Sequence, residues 1–381
     1  MNKLIFSLLL FSSILIDSCI TIKESSVVQD NFLGLSVNSQ QIYDKESNGS
    51  FFCPIRLSMQ PMDKLIAIAF KGNTNYNQIE LQFFNDKING KGVVAMLTKK
   101  SDGDIDIYYS KGLHFDNEMY SFDILHKPTE TNIDYSFIIT NTGVHCVLSM
   151  VDSRGNKIKL SVIQSSNAID CTNFLAPVAP KSDNPSFFPF YYMRKTVFCR
   201  SSDTKIDLTI NDIKQKPKKI PLLVNKKIVY LSRYADMPII GMWHSDSSTV
   251  LKPIKKDSSK FNYYELVDNN GHSEIKSIIE SIDGHTMKLH FSPSIPDLRC
   301  LKSDIVVTGR FTISCDSIAG IVGGEYKITN NKNQIEFNCH PTKGFQPNPG
   351  KVWVKTLTWQ SLLDYNKQEN TMTMSSKWTK K

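Results

Sequence analysis

Residues 65–109 read LIAIAFKGNTNYNQIELQFFNDKINGKGVVAMLTKKSDGDIDIYY, and this stretch decides the fold. Within it, 65–70, 79–84, 92–97 and 104–109 are short runs rich in aliphatic and aromatic residues, several of them alternating with polar positions. A period of two belongs to strands, whose successive side chains point to opposite faces. The dipeptides Asn89-Gly90 and Asp102-Gly103 separate the runs, and such pairs tolerate the positive φ of tight hairpin turns. The stretch is therefore predicted to be a meander of antiparallel strands.

The same texture extends in both directions. Residues 135–140, 144–150, 157–164, 205–210 and 227–234 are strand candidates, with Asp152-Ser153-Arg154-Gly155-Asn156 as one hairpin turn. Residues 175–189 (LAPVAPKSDNPSFFP) hold four of the 16 prolines and are predicted to be irregular, because proline cannot donate to a central sheet ladder. A second meander starts near Pro238 and takes in 263–267, 274–280, 287–291, 309–315, 324–329 and 334–338. One short helix is predicted, at 359–367 (WQSLLDYNK), with Leu362 and Leu363 on one face. The expected fold is all-β, with two antiparallel meander domains closed into up-and-down barrels or sandwiches that leave few unpaired edges. An outer-membrane barrel is disfavoured by the short, Lys-rich strand candidates and by the terminal Lys380-Lys381.

The N-terminus addresses the protein. Lys3 precedes an apolar run at 4–16 broken only by Ser7, Ser12 and Ser13, and Ile16-Asp17-Ser18-Cys19 closes it. This reads as a bacterial export signal with a lipoprotein-type cleavage site, although Asp17 is unusual within such a site and ordinary cleavage nearby is the alternative. The run falls short of the about 20 apolar residues that span a bilayer. The expected organisation is a signal peptide at 1–18, a flexible tether at 19–48, an N-terminal β domain at 49–236 and a C-terminal β domain at 237–381. The mature protein is expected in the cell envelope, membrane-anchored through a lipid on Cys19 and periplasmic or surface-exposed.

Composition narrows the function further. The 381 residues are 40% hydrophobic and carry a net charge of +8 that is spread rather than massed, which suits packed cores and gives no nucleic-acid footprint. With Cys19 lipidated, seven cysteines remain (Cys53, Cys146, Cys171, Cys199, Cys300, Cys315 and Cys339), without a CxxC pair. Cys146 and Cys315 lie in strand-like runs and suit buried thiols, but parity alone leaves thiols and bridges open.

Four constellations carry chemistry. The cluster at 187–193 (FFPFYYM) offers Phe187, Phe190, Tyr191 and Tyr192 as the lining of a ligand pocket, or else as a plug sealing a barrel or domain seam. His272-Ser273-Glu274 puts an imidazole and a carboxylate on one strand face, and His285, His290, Asp297 and Arg299 follow. A zinc site or acid/base pair is one assembly of these, yet no spacing fixes their positions, so no metal or cofactor is assigned. Asp102-Gly103-Asp104-Ile105-Asp106 begins like a calcium loop, but Ile107 and Leu113 stand where glycine and glutamate are needed, leaving a hairpin with outward acidic residues. Trp353, Trp359 and Trp378 suit either a sugar-stacking platform or a domain core. Hydrolase and nucleotide-binding motifs are missing, so a binding protein is favoured over an enzyme.

Two pairs of segments, residues 175–193 with 223–240 and residues 263–275 with 291–301, resemble an uncharacterised family of bacterial proteins. Over about 65–357 the chain is similar to two-domain lipocalin-like proteins of the calycin group. The resemblance implies barrels that hold a hydrophobic or amphipathic small molecule; the candidate ligand-binding residues, read from the constellations above, are Phe187, Phe190, Tyr191, Tyr192, His272 and Asp297. It implies no catalytic residue, and the enzymes associated with such folds are hydratases of apolar polyenes. A hydratase or isomerase using Asp297, His272 or tyrosines is the enzyme alternative, and a surface glycan-binding module using Trp353 and Trp359 is the third. Substituting Cys19→Ala should release the protein from the membrane fraction and abolish the lipid mass increment. Unchanged partitioning and mass would rule lipidation out.

Overall fold

The computed structural model describes residues 42–72, 75–101, 103–120, 127–141, 143–165, 169–170, 174–177, 182–195, 197–200, 204–224, 227–255, 263–316, 321–332, 334–343 and 357–380. Cys19, Asp102, Cys171 and Trp353 lie outside them. The structure is all-β: 69% of the described residues are strand and 3% helix, in several antiparallel sheets that include a nearly closed, barrel-like one.

The strands begin with β1 (Leu57–Pro61), β2 (Lys64–Lys71), β3 (Tyr76–Asp86), β4 (Gly90–Lys99), β5 (Ile105–Ser110), β6 (Thr129–Thr131), β7 (Ile133–Thr140), β8 (Gly143–Val151) and β9 (Lys157–Gln164). They continue with β10 (Ile169–Asp170), β11 (Phe174–Pro177), β12 (Phe187–Met193), β13 (Val197–Arg200), β14 (Thr204–Ile210), β15 (Ile213–Pro217), β16 (Lys219–Val224), β17 (Lys227–Asp236) and β18 (Ile239–His244). The last are β19 (Thr249–Leu251), β20 (Tyr264–Asn269), β21 (His272–Ile282), β22 (His285–Ile295), β23 (Val306–Cys315), β24 (Val322–Asn331), β25 (Gln334–Lys343), β26 (Leu357–Asn366) and β27 (Thr371–Lys380).

Two compact units emerge. The first comprises Pro61–Phe174 and Tyr191–Ile240; the second comprises the described residues up to Gln60, then Leu175–Phe190 and Gly241 onward. The sequence reading drew one boundary, at 236/237, whereas these units are discontinuous. The strands β1, β18, β12 and β11 form one four-stranded sheet in that order.

In the first unit, β2, β3 and β4 are buried at nearly every position, while β8, β9 and β14 alternate buried with exposed. Continuous burial means cover on both faces; alternation means one face in water. Ile66, Ile68, Leu81, Val93, Leu97, Leu148, Leu160 and Leu208 belong to one core cluster there. The second unit is an up-and-down meander of nine strands in the order β19-β27-β26-β25-β24-β23-β22-β21-β20. Its Asn270-Gly271 hairpin has φ of +51° and +86°, the left-handed pair that a two-residue turn of this kind requires.

Aromatic packing fills the inner face of this meander. The Trp243 ring lies 5.4 Å from both Trp359 and Trp378 and 5.5 Å from Phe311, and Trp378 Nε1 donates to the Trp243 carbonyl at 2.8 Å. Gly309 faces Tyr326 across the ladder between β23 and β24, where an added Cβ would lie 2.5 Å from the tyrosine ring.

Three expectations are corrected. Residues 359–366 are strand rather than helix: in β26 Leu363 is fully buried and Leu362 is 44% exposed, a period of two held by ladders to β25 and β27. Residues 187–189 are strand as well, with Pro189 inside β12, whose neighbour β11 is only four residues long. Asp106 does not point outward. It is buried and bound by Lys99 Nζ and Arg154 Nη2, each at 2.8 Å, and by Tyr76 Oη at 2.8 Å. Its charge is neutralised inside the protein, which removes it from any calcium loop.

Because the Tyr326 ring occupies the space above Gly309, Gly309→Ala should destabilise the protein by about 1–3 kcal/mol. Tyr326→Leu in the same chain should shrink that increment in a double-mutant cycle read by denaturant unfolding.

Candidate functional site

His272 and Glu274 open β21 two residues apart and therefore share a face. After β22, Asp297 caps a 3-10 turn at Leu298–Cys300. The turn brings Asp297, Arg299 and Cys300 together, and with them Tyr43, Ser47, Asn48 and Ser50 from the start of the second unit.

Asp297 and Arg299 are the centre. Asp297 is 1% exposed and Arg299 6%, and the guanidinium grips the carboxylate with two bonds, Nε to Oδ1 at 3.1 Å and Nη2 to Oδ2 at 2.9 Å. Its remaining hydrogens are used on Asn48 Oδ1 and Ser50 Oγ, each at 2.9 Å, and on the Ser50 carbonyl. Ser47 Oγ adds a bond to Asp297 Oδ2 at 2.9 Å. Tyr43 Oη accepts from the Asp297 amide at 3.0 Å and donates to Glu274 Oε1 at 2.8 Å. Asn269 Nδ2 also donates to that oxygen, at 2.7 Å. The His272 ring stacks on Tyr43 with centroids 3.8 Å apart, and Cys300 Sγ lies 3.5 Å from Asp297 Oδ2.

Burial sets the electrostatics. It raises the Glu274 carboxyl above its ordinary range, and it raises the Tyr43 phenol together with the nearby Glu274 charge. The Cys300 thiol is pushed up to about 12 by burial and then by Asp297. Most of the cluster is committed to itself. Arg299, with all its hydrogens used, and Asp297 hold Ser47, Asn48 and Ser50 in place, at the end of the stretch where the sequence predicts a tether.

Of the sequence candidates, His272 and Asp297 meet here, joined by Glu274 and Arg299. His285 and His290 lie elsewhere, bonded to Asp316 at 2.6 Å and to Ser277 at 3.0 Å. Phe187, Phe190, Tyr191 and Tyr192 lie in β12 and are at most 1% exposed. Phe190 packs over Gly241 and lies 5.8 Å from Phe188, whose ring is 5.1 Å from Trp378. Tyr191 Oη accepts from Gln82 Nε2 at 3.2 Å in a buried network with Glu80 and Tyr120. Trp359 is fully buried and presents no ring for stacking a sugar. Tyr43 and Cys300 were missed: an isolated tyrosine in a polar stretch and a cysteine without a paired spacing carry no signal.

A groove of about 640 Å³ lies on the second unit. Ser292, Arg310, Glu325 and His340 form one cross-strand row over β22 to β25, and Thr308, Lys327 and Asn338 form the next. Pro293, Gly309 and Tyr326 complete the lining. His340 Nδ1 meets the Leu357 carbonyl and Thr358 Oγ1, each at 3.1 Å, which leaves Nε2 for other partners. Asn338 Nδ2 donates to Glu336 at 2.7 Å, but its Oδ1 is buried without a hydrogen-bond partner among the described residues.

No family model, curated protein or solved structure matches the chain.

Breaking the buried ion pair from one side strands a charge. Arg299→Met should therefore cost about 3–5 kcal/mol in equilibrium unfolding. Adding Asp297→Leu should restore part of that loss, since no charge is then left unpaired.

Proposed function

We propose that the protein is an exported, lipid-anchored envelope protein that binds an amphipathic small molecule in the groove over β22–β25. The observation that carries this reading is Asn338 Oδ1, a buried acceptor without a partner on the wall of a 640 Å³ groove. An orphaned acceptor is costly, and a ligand donor satisfies it. Arg310, Lys327 and Glu325 form no ion pair among the described residues and give the ligand charged contacts. Pro293 and the bare backbone at Gly309 give it apolar contact. Pockets of this size with a few convergent polar groups are the usual form of small-molecule sites.

The location departs from a lipocalin cup. Trp243, Trp359 and Trp378 occupy the inner face of the second meander, so the ligand is assigned to the polar face, with its apolar part on Pro293. The enzyme alternative has one supporting observation, the convergence of buried Asp297, His272, Glu274 and Tyr43. Most of those groups bond to one another, which favours binding over turnover.

Native mass spectrometry of the full-length protein purified from its own envelope tests the reading. The wild type should carry a non-covalent adduct, and Arg310→Glu with Lys327→Glu should lose it. Both side chains are exposed, so stability should change by no more than about 0.5 kcal/mol for each substitution. A bare wild type, or an adduct that survives both substitutions, would sink the proposal.

A further inference from the structure

We infer that His272, Asp297 and Cys300 form a site for one divalent transition-metal ion, with zinc the best fit to its donors. The site is separate from the groove and stands without it. One ligand atom from each of the three residues lies within 4.8 Å of the others, and all three residues are buried. His272 is 8% exposed, and its Nδ1 has no hydrogen-bond partner among the described residues. It is an unspent donor in a cluster where most other polar groups are used.

The distances suit a tetrahedral ion. Zinc bonds of about 2.3 Å to sulfur and 2.0 Å to oxygen, at the tetrahedral angle, set those two ligands about 3.5 Å apart. Cys300 Sγ and Asp297 Oδ2 are 3.5 Å apart without rearrangement. The imidazole, whose plane is set by stacking on Tyr43, must close by at most about 1.5 Å to complete the set.

The surroundings suit it too. Arg299 and Ser47 hold the Asp297 carboxylate in orientation, the outer support that ligands of real sites receive. Arg299 already balances Asp297, so a divalent ion that displaces one thiol proton adds one net positive charge, with the Glu274 carboxyl held close by through Tyr43. On binding, the metal–sulfur bond forms as the Cys300 thiol gives its proton to water. Nitrogen, oxygen and sulfur together select zinc or cobalt over magnesium and calcium, which take oxygen. Three protein ligands leave a fourth position for water, the open pattern of catalytic zinc sites.

The test is titration of the full-length, chelator-treated protein with Zn²⁺ and with Co²⁺, reading metal content and the cobalt spectrum. One ion per chain and a thiolate-to-cobalt charge-transfer band are expected. Cys300→Ser should remove the band. That variant and His272→Gln should each weaken Zn²⁺ binding by at least the roughly 10–100-fold that loss of even an outer-shell partner costs. Thermal melts of the metal-free variants establish that they are folded. Absence of a stoichiometric ion, or a band and affinity unchanged in folded Cys300→Ser, would overturn the inference.

Discussion

A carboxylate and a guanidinium withdrawn from water have to satisfy each other, and around Asp297 and Arg299 that requirement organises the second unit. Removing either ion from solvent costs several kcal/mol, and only a complete set of bonds repays it. The set is completed by Asn48, Ser50 and Ser47 from the start of the unit, so the pair dictates where that segment lies. Tyr43 ties the same segment to Glu274 and stacks on His272. The 3-10 turn that carries Arg299 and Cys300 is capped by Asp297 itself. One ion pair thus fixes the segment at 47–50 and the turn, and Tyr43 links them to the start of β21.

Packing then decides where a ligand is able to go. Aromatic rings fill the inner face of the nine-stranded meander, and close packing of this kind leaves few voids larger than a water molecule. The outer face is different. There the alternation of β23 sends Thr308 and Arg310 outward and Val307 and Phe311 inward, so the strands that build the core also build the groove. Core and site are opposite faces of the same ladders.

Much of the fold was legible because period-two patterning and Asn-Gly turns are local. The runs at 65–70, 79–84 and 157–164 lie in β2, β3 and β9, and Asn270-Gly271 makes its hairpin. Legibility failed where tertiary context outweighed local signal. Leu362-Leu363 looks like a helical pair until ladders on both sides force the two leucines to opposite faces. Pro189 reads as a break until its aromatic neighbours draw it into a buried strand. The pairing of His272 with Asp297 depends on how β21, β22 and the 3-10 turn fold back on each other, and single-residue spacing holds no record of that. Tyr43 was invisible for the same reason, since its partners lie 231 and 254 residues further on.

Those separations set an order of events during synthesis. Tyr43 leaves the ribosome well before Glu274 and Asp297, which follow 231 and 254 residues later. Over that interval the start of the second unit has no native partner at these positions. The unit also waits for β27, whose Trp378 joins the central rings from the last strand of the meander to be made. The first unit needs nothing beyond Ile240 for its own strands. Its ladders are therefore available for pairing while the second unit is still incomplete, and a stop codon shortly before Trp378 would leave one unit with all its strands and the other without its keystone.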